Sequence, residues 1–117
     1  MYKLAISTSG EYVSAAIFEE KLLASFVSKT NKGSTGILLN QINELFDKTK
    51  ASRNDLNALY LDVGPGYYTG LRIGLSVSQG LGAVLGIPII PVNGLDALAF
   101  AAHTSHRKIC SLIAVSY

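Results

Sequence analysis

At 117 residues the chain has the size of one domain, and its 49% hydrophobic and 15% charged residues exclude a disordered polymer. No apolar run reaches the ~18–20 residues that cross a bilayer. The net charge of +2 comes from basic residues scattered singly or in pairs such as Arg107 and Lys108, which leaves no electrostatic footprint for direct nucleic-acid binding.

Three short strand patterns open the chain: YKLAIST (2–8), YVSAAIF (12–18) and LLASFVS (22–28). The three-residue links between them force an antiparallel meander. Ile37, Leu38, Ile42, Leu45 and Phe46 then fall on one face at helical spacing, which predicts a helix over about 35–50. ALYLDV (58–63) reads as a buried strand, TGLRIGLSVSQGLGAVLG (69–86) as a second helix, IPIIPV (87–92) as a strand and LDALAFAA (95–102) as a third helix. Strands and helices joined by short links imply right-handed parallel crossovers. KICSLIAVSY (108–117) is strand-like again and echoes the opening KLAIS. The expected fold is therefore α/β, a ribonuclease-H-like or actin-like ATPase unit with a mixed sheet in the order β-β-β-α-β-α-β-α. Residues 1–107 form this domain, and 108–117 are the first strand of a second, related domain.

Nucleases of that fold class hold two divalent metals on carboxylates, one of them on the first strand. Here the first strand carries Ser7, a neutral hydroxyl, and only Asp62 lies at a strand end near a cleft. No metal site is expected. The stretch GPGYYTGL (64–71) is rich in glycine but has leucine where a phosphate-binding loop has lysine after its last glycine. Candidate nucleotide contacts are Ser9 and Gly10 in the first hairpin, Gly66 in the glycine turn, and Thr69 as a helix cap. His103 and His106 have the i, i+3 spacing of a ligand pair without a third ligand nearby. The lone Cys110 in an apolar setting reads as a buried thiol, and the absence of a signal-peptide core points to the cytoplasm.

The glycines have another reading. Gly70, Gly74, Ser78, Gly82 and Gly86 recur every fourth residue and lay a stripe of small side chains along the second helix. Each glycine there sacrifices about 1 kcal/mol of helix propensity, so a backbone must approach closely. Spacing alone leaves open whether that backbone is the protein's own sheet or a helix of another chain. Leu71, Leu75, Leu81 and Leu85 give a second apolar face, and two faces favour an interface.

GPGYYTGLRIGLSVSQGLG (64–82), with LAISTS ahead of it and IPIIPVNGLDALA after it, resembles the YeaZ/TsaB family, whose hallmark is a Gly-Pro-Gly-(Ser/Tyr)-(Phe/Tyr)-Thr-Gly-(Leu/Val)-Arg-Ile-Gly block. The resemblance extends over the whole chain. It implies an actin-like ATPase fold without catalysis of its own: a scaffold subunit that pairs with a TsaD-type enzyme, in a larger complex with a TsaE-like ATPase, during N6-threonylcarbamoyladenosine modification of tRNA. It implies dimerisation through the N-terminal helices, with itself when alone, and only indirect contact with tRNA. No cofactor is expected in the chain itself, although ATP or ADP at a partner interface fits the family. On this reading the interface comprises Leu38, Ile42 and Leu45 of the first helix with Gly70, Arg72, Gly74, Ser78, Leu81 and Gly82 of the second. The alternative is an enzyme, a residual nucleotide hydrolase or glycoprotease-like peptidase. The chain departs from the family pattern at Ser7 and Ser116, where aspartates are common, and at Ser34-Thr35, where the family has His-Ser.

Overall fold

Alternation of large apolar with small or polar side chains gives each strand one buried face, and pairing aligns those faces. A computed structural model of the chain describes residues 1–29 and 35–105. Its elements are β1 (Tyr2–Ser7), β2 (Tyr12–Phe18), β3 (Leu22–Lys29), α1 (Thr35–Thr49), a 3₁₀ turn (Arg53–Asp55), β4 (Leu56–Asp62), α2 (Tyr68–Leu85), β5 (Ile89–Val92) and α3 (Gly94–Ser105). The sheet order is β3-β2-β1-β4-β5, antiparallel through the first three strands and parallel from β1 to β4 and from β4 to β5. This is the expected α/β topology as far as residue 105. The strand expected at 108–117, the domain boundary drawn there, and Ser34, His106, Cys110 and Ser116 lie outside the described residues.

Register explains the core. Leu4 stands between Ile17 and Leu59, and Ile6 stands between Ala15 and Leu61, so apolar side chains line up across three strands on one face. Against them α1 lays Leu38, Ile42, Leu45 and Phe46, and α2 lays Val77, with all of these residues in one buried cluster. Among the described residues no helix is long and apolar enough to cross a membrane. The opposite face of the sheet carries smaller side chains and borders a groove lined by Ala5, Ser14, Ala16, Tyr60, Leu95 and Leu98.

Element ends follow local chemistry. Strand β4 starts at Leu56, two residues before the apolar run, because exposed Asn57 alternates between buried Leu56 and Ala58. Strand β5 starts at Ile89 and not at Ile87, since the Ile87 amide is taken by the Gly82 carbonyl (3.1 Å) as α2 closes. That closure needs Gly86, which sits at φ +66° as the C-terminal cap. At the other end the cap is Tyr67, which offers no side-chain bond, so Thr69 lies inside the first turn and is not the cap its position suggested.

The small-residue stripe of α2 faces the chain's own sheet. A Cβ at Gly70 would strike the Thr8 carbonyl oxygen, one at Gly74 would strike the Thr8 hydroxyl, and one at Gly82 would come within 3.3 Å of Ile87 and Ile89. Ser78 is fully buried and its hydroxyl has no partner. Gly74→Leu is therefore expected to abolish the cooperative unfolding transition in urea, whereas Ser78→Ala, which removes an unsatisfied group, should be neutral or raise stability by up to ~1 kcal/mol. Both are read from urea unfolding curves followed by circular dichroism.

Candidate functional site

The C-terminal ends of β1, β4 and β5 meet the glycine turn before α2, and Asp62 is the acidic side chain at the end of β4 there. One of its carboxylate oxygens accepts from the Ser7 hydroxyl (2.8 Å) and the Ser9 hydroxyl (2.5 Å); the other accepts from the Gly64 amide (2.9 Å). The Gly64 carbonyl in turn accepts from the Gly94 amide (3.0 Å) at the start of α3, and the Val63 amide donates to the Val92 carbonyl (3.0 Å). Gly64 holds φ +98°, a conformation that side-chain-bearing residues rarely adopt.

The first hairpin also seats α2. The Tyr67 amide donates to the Ser9 carbonyl (2.8 Å), and the buried Thr8 hydroxyl donates to the Gly70 carbonyl (2.6 Å). Gly66 lies so close to Ser9 that a Cβ there would collide with the Ser9 carbonyl.

This occupancy decides the fit of the groups that the fold class uses. A divalent cation needs several anionic oxygens, and here a single carboxylate has its lone pairs directed at three donors. Among the described residues no group of three His, Cys, Asp or Glu is arranged to hold a metal. A phosphate would have to lie beside that carboxylate, which repels it. The arrangement fits neither group. Of the four candidate nucleotide contacts, Ser9 is engaged with Asp62 and Tyr67, and Gly66 is packed on Ser9. Gly10 faces open space, and Thr69 is exposed in the first turn of α2. The structure does not bring the four together as a cradle.

The interface residues expected from sequence divide in the same manner. Leu38, Ile42 and Leu45 are buried in the core under β2 and β3. Gly74, Ser78 and Gly82 are buried against the sheet, Gly70 is half-buried on Thr8, and Leu81 is half-buried beside the core cluster. The six buried positions are corrected from surface contacts to internal packing, and at all eight the apolar or small character serves the approach of α1 and α2 to the sheet. Arg72 alone of the set is exposed, with its guanidinium 5.5 Å from the centre of the Tyr68 ring.

The outer face of α2 was not singled out by the stripe. It presents Arg72, Ser76, Gln79 and Ala83, flanked by Leu75, 44% exposed, and Val84, 84% exposed. Gly80 belongs to this side: a Cβ there would meet nothing within 4 Å. Its signal in the sequence was a glycine out of phase with the stripe. The 4-Å neighbourhood that separates it from Gly74 and Gly82 appears only in three dimensions.

Comparison with known proteins bears on this geometry. Residues 22–115 match the family described as "TsaD: tRNA N6-adenosine threonylcarbamoyltransferase". A tRNA threonylcarbamoyladenosine biosynthesis protein TsaB from Buchnera aphidicola (subsp. Schizaphis graminum) is 34% identical over 97% of this chain and 54% of its own length. The solved structure of YeaZ from Pseudomonas aeruginosa superposes with a TM-score of 0.82 at 30% identity, over 91% of this chain and 49% of that one. The chain thus spans about half the length of the relatives it matches. RuvC from Thermus thermophilus, solved with a Holliday junction substrate, shares the fold alone, with a TM-score of 0.57 at 13% identity over 91% of this chain and 73% of that one. The chain belongs to the threonylcarbamoyltransferase family that the match describes, and within it to the YeaZ/TsaB group. From the saturated Asp62 cluster, magnesium ATP is expected to leave the thermal midpoint unchanged in scanning fluorimetry. A nucleotide at ~100 times its dissociation constant would add ~2.7 kcal/mol and raise that midpoint by more than about 10 °C.

Proposed function

We propose that this chain is a non-catalytic subunit in the N6-threonylcarbamoyladenosine modification of tRNA, docking the outer face of α2 and the adjoining edge of α1 against a TsaD-like enzyme subunit. The relatives' names support the pathway, and the chain's own chemistry supports the passive role. The observation that carries the docking surface is Gly80. In a helix interior glycine lowers stability by about 1 kcal/mol relative to alanine, and among the described residues no packing contact gives a reason for it, since a side chain there would meet nothing within 4 Å. A backbone approaching from another molecule supplies the reason. Leu75 and Val84 flank that point with exposed apolar surface, and Arg72 and Tyr68 add a cation and an aromatic ring at the start of the helix.

The docking surface is thus the other side of the helix that the small-residue stripe pointed to. In this proposal a second copy occupies the same face when the enzyme subunit is absent, a TsaE-like ATPase joins the larger complex, and tRNA is contacted by the partners. The enzyme reading, a residual nucleotide hydrolase or glycoprotease-like peptidase, has less support: its strand-end carboxylate already accepts three hydrogen bonds, and among the described residues no group of three His, Cys, Asp or Glu is placed to hold a metal.

Light scattering after size exclusion, on this chain alone and mixed with its cognate TsaD-like protein, is the test. A 1:1 complex is expected, with Gly80→Leu and Leu75→Glu each weakening association at least about tenfold without lowering the thermal midpoint of the free chain, because neither position contributes to the core. Gly80→Ala should raise the stability of the free chain by ~0.5–1 kcal/mol. Full association by the Gly80→Leu variant, or substrate turnover by the chain alone, would overturn the proposal.

A further inference from the structure

We infer that Asp62 is a positioning residue whose carboxylate, held by hydroxyls and an amide where its fold class holds a cation, locks the glycine turn that launches α2. The inference does not depend on the partner reading. Asp62 ties together segments distant in sequence: its bonds to Ser7 and Ser9 span 55 and 53 residues, and its bond to Gly64 holds the turn itself. The hairpin that supplies the hydroxyls also accepts the Tyr67 amide and donates to the Gly70 carbonyl, so the carboxylate and the first turn of α2 share one support. The carboxylate is closed in from the α3 side as well, where a Cβ at Gly94 would come within 2.5 Å of its oxygen. Among the described residues no cationic side chain pairs with it.

A cluster balanced only by dipoles accommodates one negative charge. For the charge balance alone, which of the two strands carries it matters less, because Ser7 and Asp62 are direct partners at 2.8 Å. Exchanging them keeps one carboxylate and one hydroxyl donor across the same gap. Placing a carboxylate at both positions sets like charges side by side, which a bound cation or a proton taken up by one of them relieves.

The test uses the full chain in four forms: wild type, Asp62→Asn, Ser7→Asp, and the exchange variant Ser7→Asp with Asp62→Ser. Thermal midpoints are measured in EDTA and in magnesium chloride. Wild type and the exchange variant should agree within a few degrees and ignore magnesium. Ser7→Asp alone should melt about 5 °C or more lower in EDTA and recover with magnesium. Hydrogen exchange then separates positioning from bulk stability. In Asp62→Asn the Gly64 and Tyr67 amides should exchange at least about tenfold faster, while the Leu59 amide, bonded to the Pro88 carbonyl within the sheet, keeps its protection. A wild-type midpoint that rises with magnesium would overturn the inference by showing a cation site. Unchanged exchange at Gly64 and Tyr67 in Asp62→Asn would overturn it by showing that the carboxylate holds nothing. If Asp62→Asn does not fold, the exchange variant carries the same reading, because it too removes the carboxylate that accepts from the Gly64 amide: faster exchange at Gly64 and Tyr67 than in wild type supports the inference, and unchanged exchange overturns it.

Discussion

The rest of the molecule depends on the contact between the end of β1 and the first turns of α2. Thr8 presents its carbonyl and hydroxyl, and Ser9 its carbonyl, to a helix start whose facing positions carry no side chain, so the backbones of a strand end and a helix touch directly. A helix normally stands about 10 Å from the sheet it covers, with side chains filling the gap. Here Gly66, Gly70 and Gly74 close that gap at one end, and toward the other end larger groups, Val77 and the half-buried Leu81 and Leu85, fill it. The helix is pinned at its start and cushioned along its length.

That pin explains why the strand ends carry so little chemistry. In a ribonuclease-H-like sheet the ends of β1 and β4 are where acidic groups can converge on a metal or a phosphate. In this chain the hydroxyls of Ser7 and Ser9 point at Asp62, and the backbone of Ser9 points at Tyr67. The Ser7 and Ser9 hydroxyls, the Asp62 carboxylate and the Gly64 and Tyr67 amides thus already have partners inside the fold. Hydrogen bonds to a charged acceptor are among the stronger ones, and displacing them would leave a partly buried carboxylate without its donors.

Much of the architecture was legible because it rests on local periodicity. Alternation in β1 to β3 and the i, i+3, i+4 recurrence of Leu38, Ile42, Leu45 and Phe46 are set by which face meets the core, and the structure follows them to within a residue or two. The faces of α2 were not legible in the same way. Small residues at every fourth position announce a close approach without saying to what, and the leucines at 71, 75, 81 and 85 divide between half-buried and exposed sides. The interface assigned to the stripe therefore fell on the inner face. Asp62 was noticed as a strand-end acid, yet its partners lie more than fifty residues away, and only the parallel pairing of β1 with β4 brings them together.

One helix thereby separates two tasks by angle. Its inner side is committed to the sheet: a side chain at Gly74 or Gly82 has no room, and even the Ser78 hydroxyl is tolerated without a partner. Its outer side is free of that constraint, so the composition there reflects something else. Gly80 in a helix interior, with exposed Leu75 and Val84 beside it, is poorly suited to a helix that meets only water and well suited to one that meets another backbone. The bonds from Thr8 and Ser9 seat the first turns of α2 on the sheet, and the close approach at Gly74 and Gly82 sets which side of the helix turns inward. The exposed side is what that seating leaves over, so the sheet contact and the outer composition are two consequences of one helix orientation.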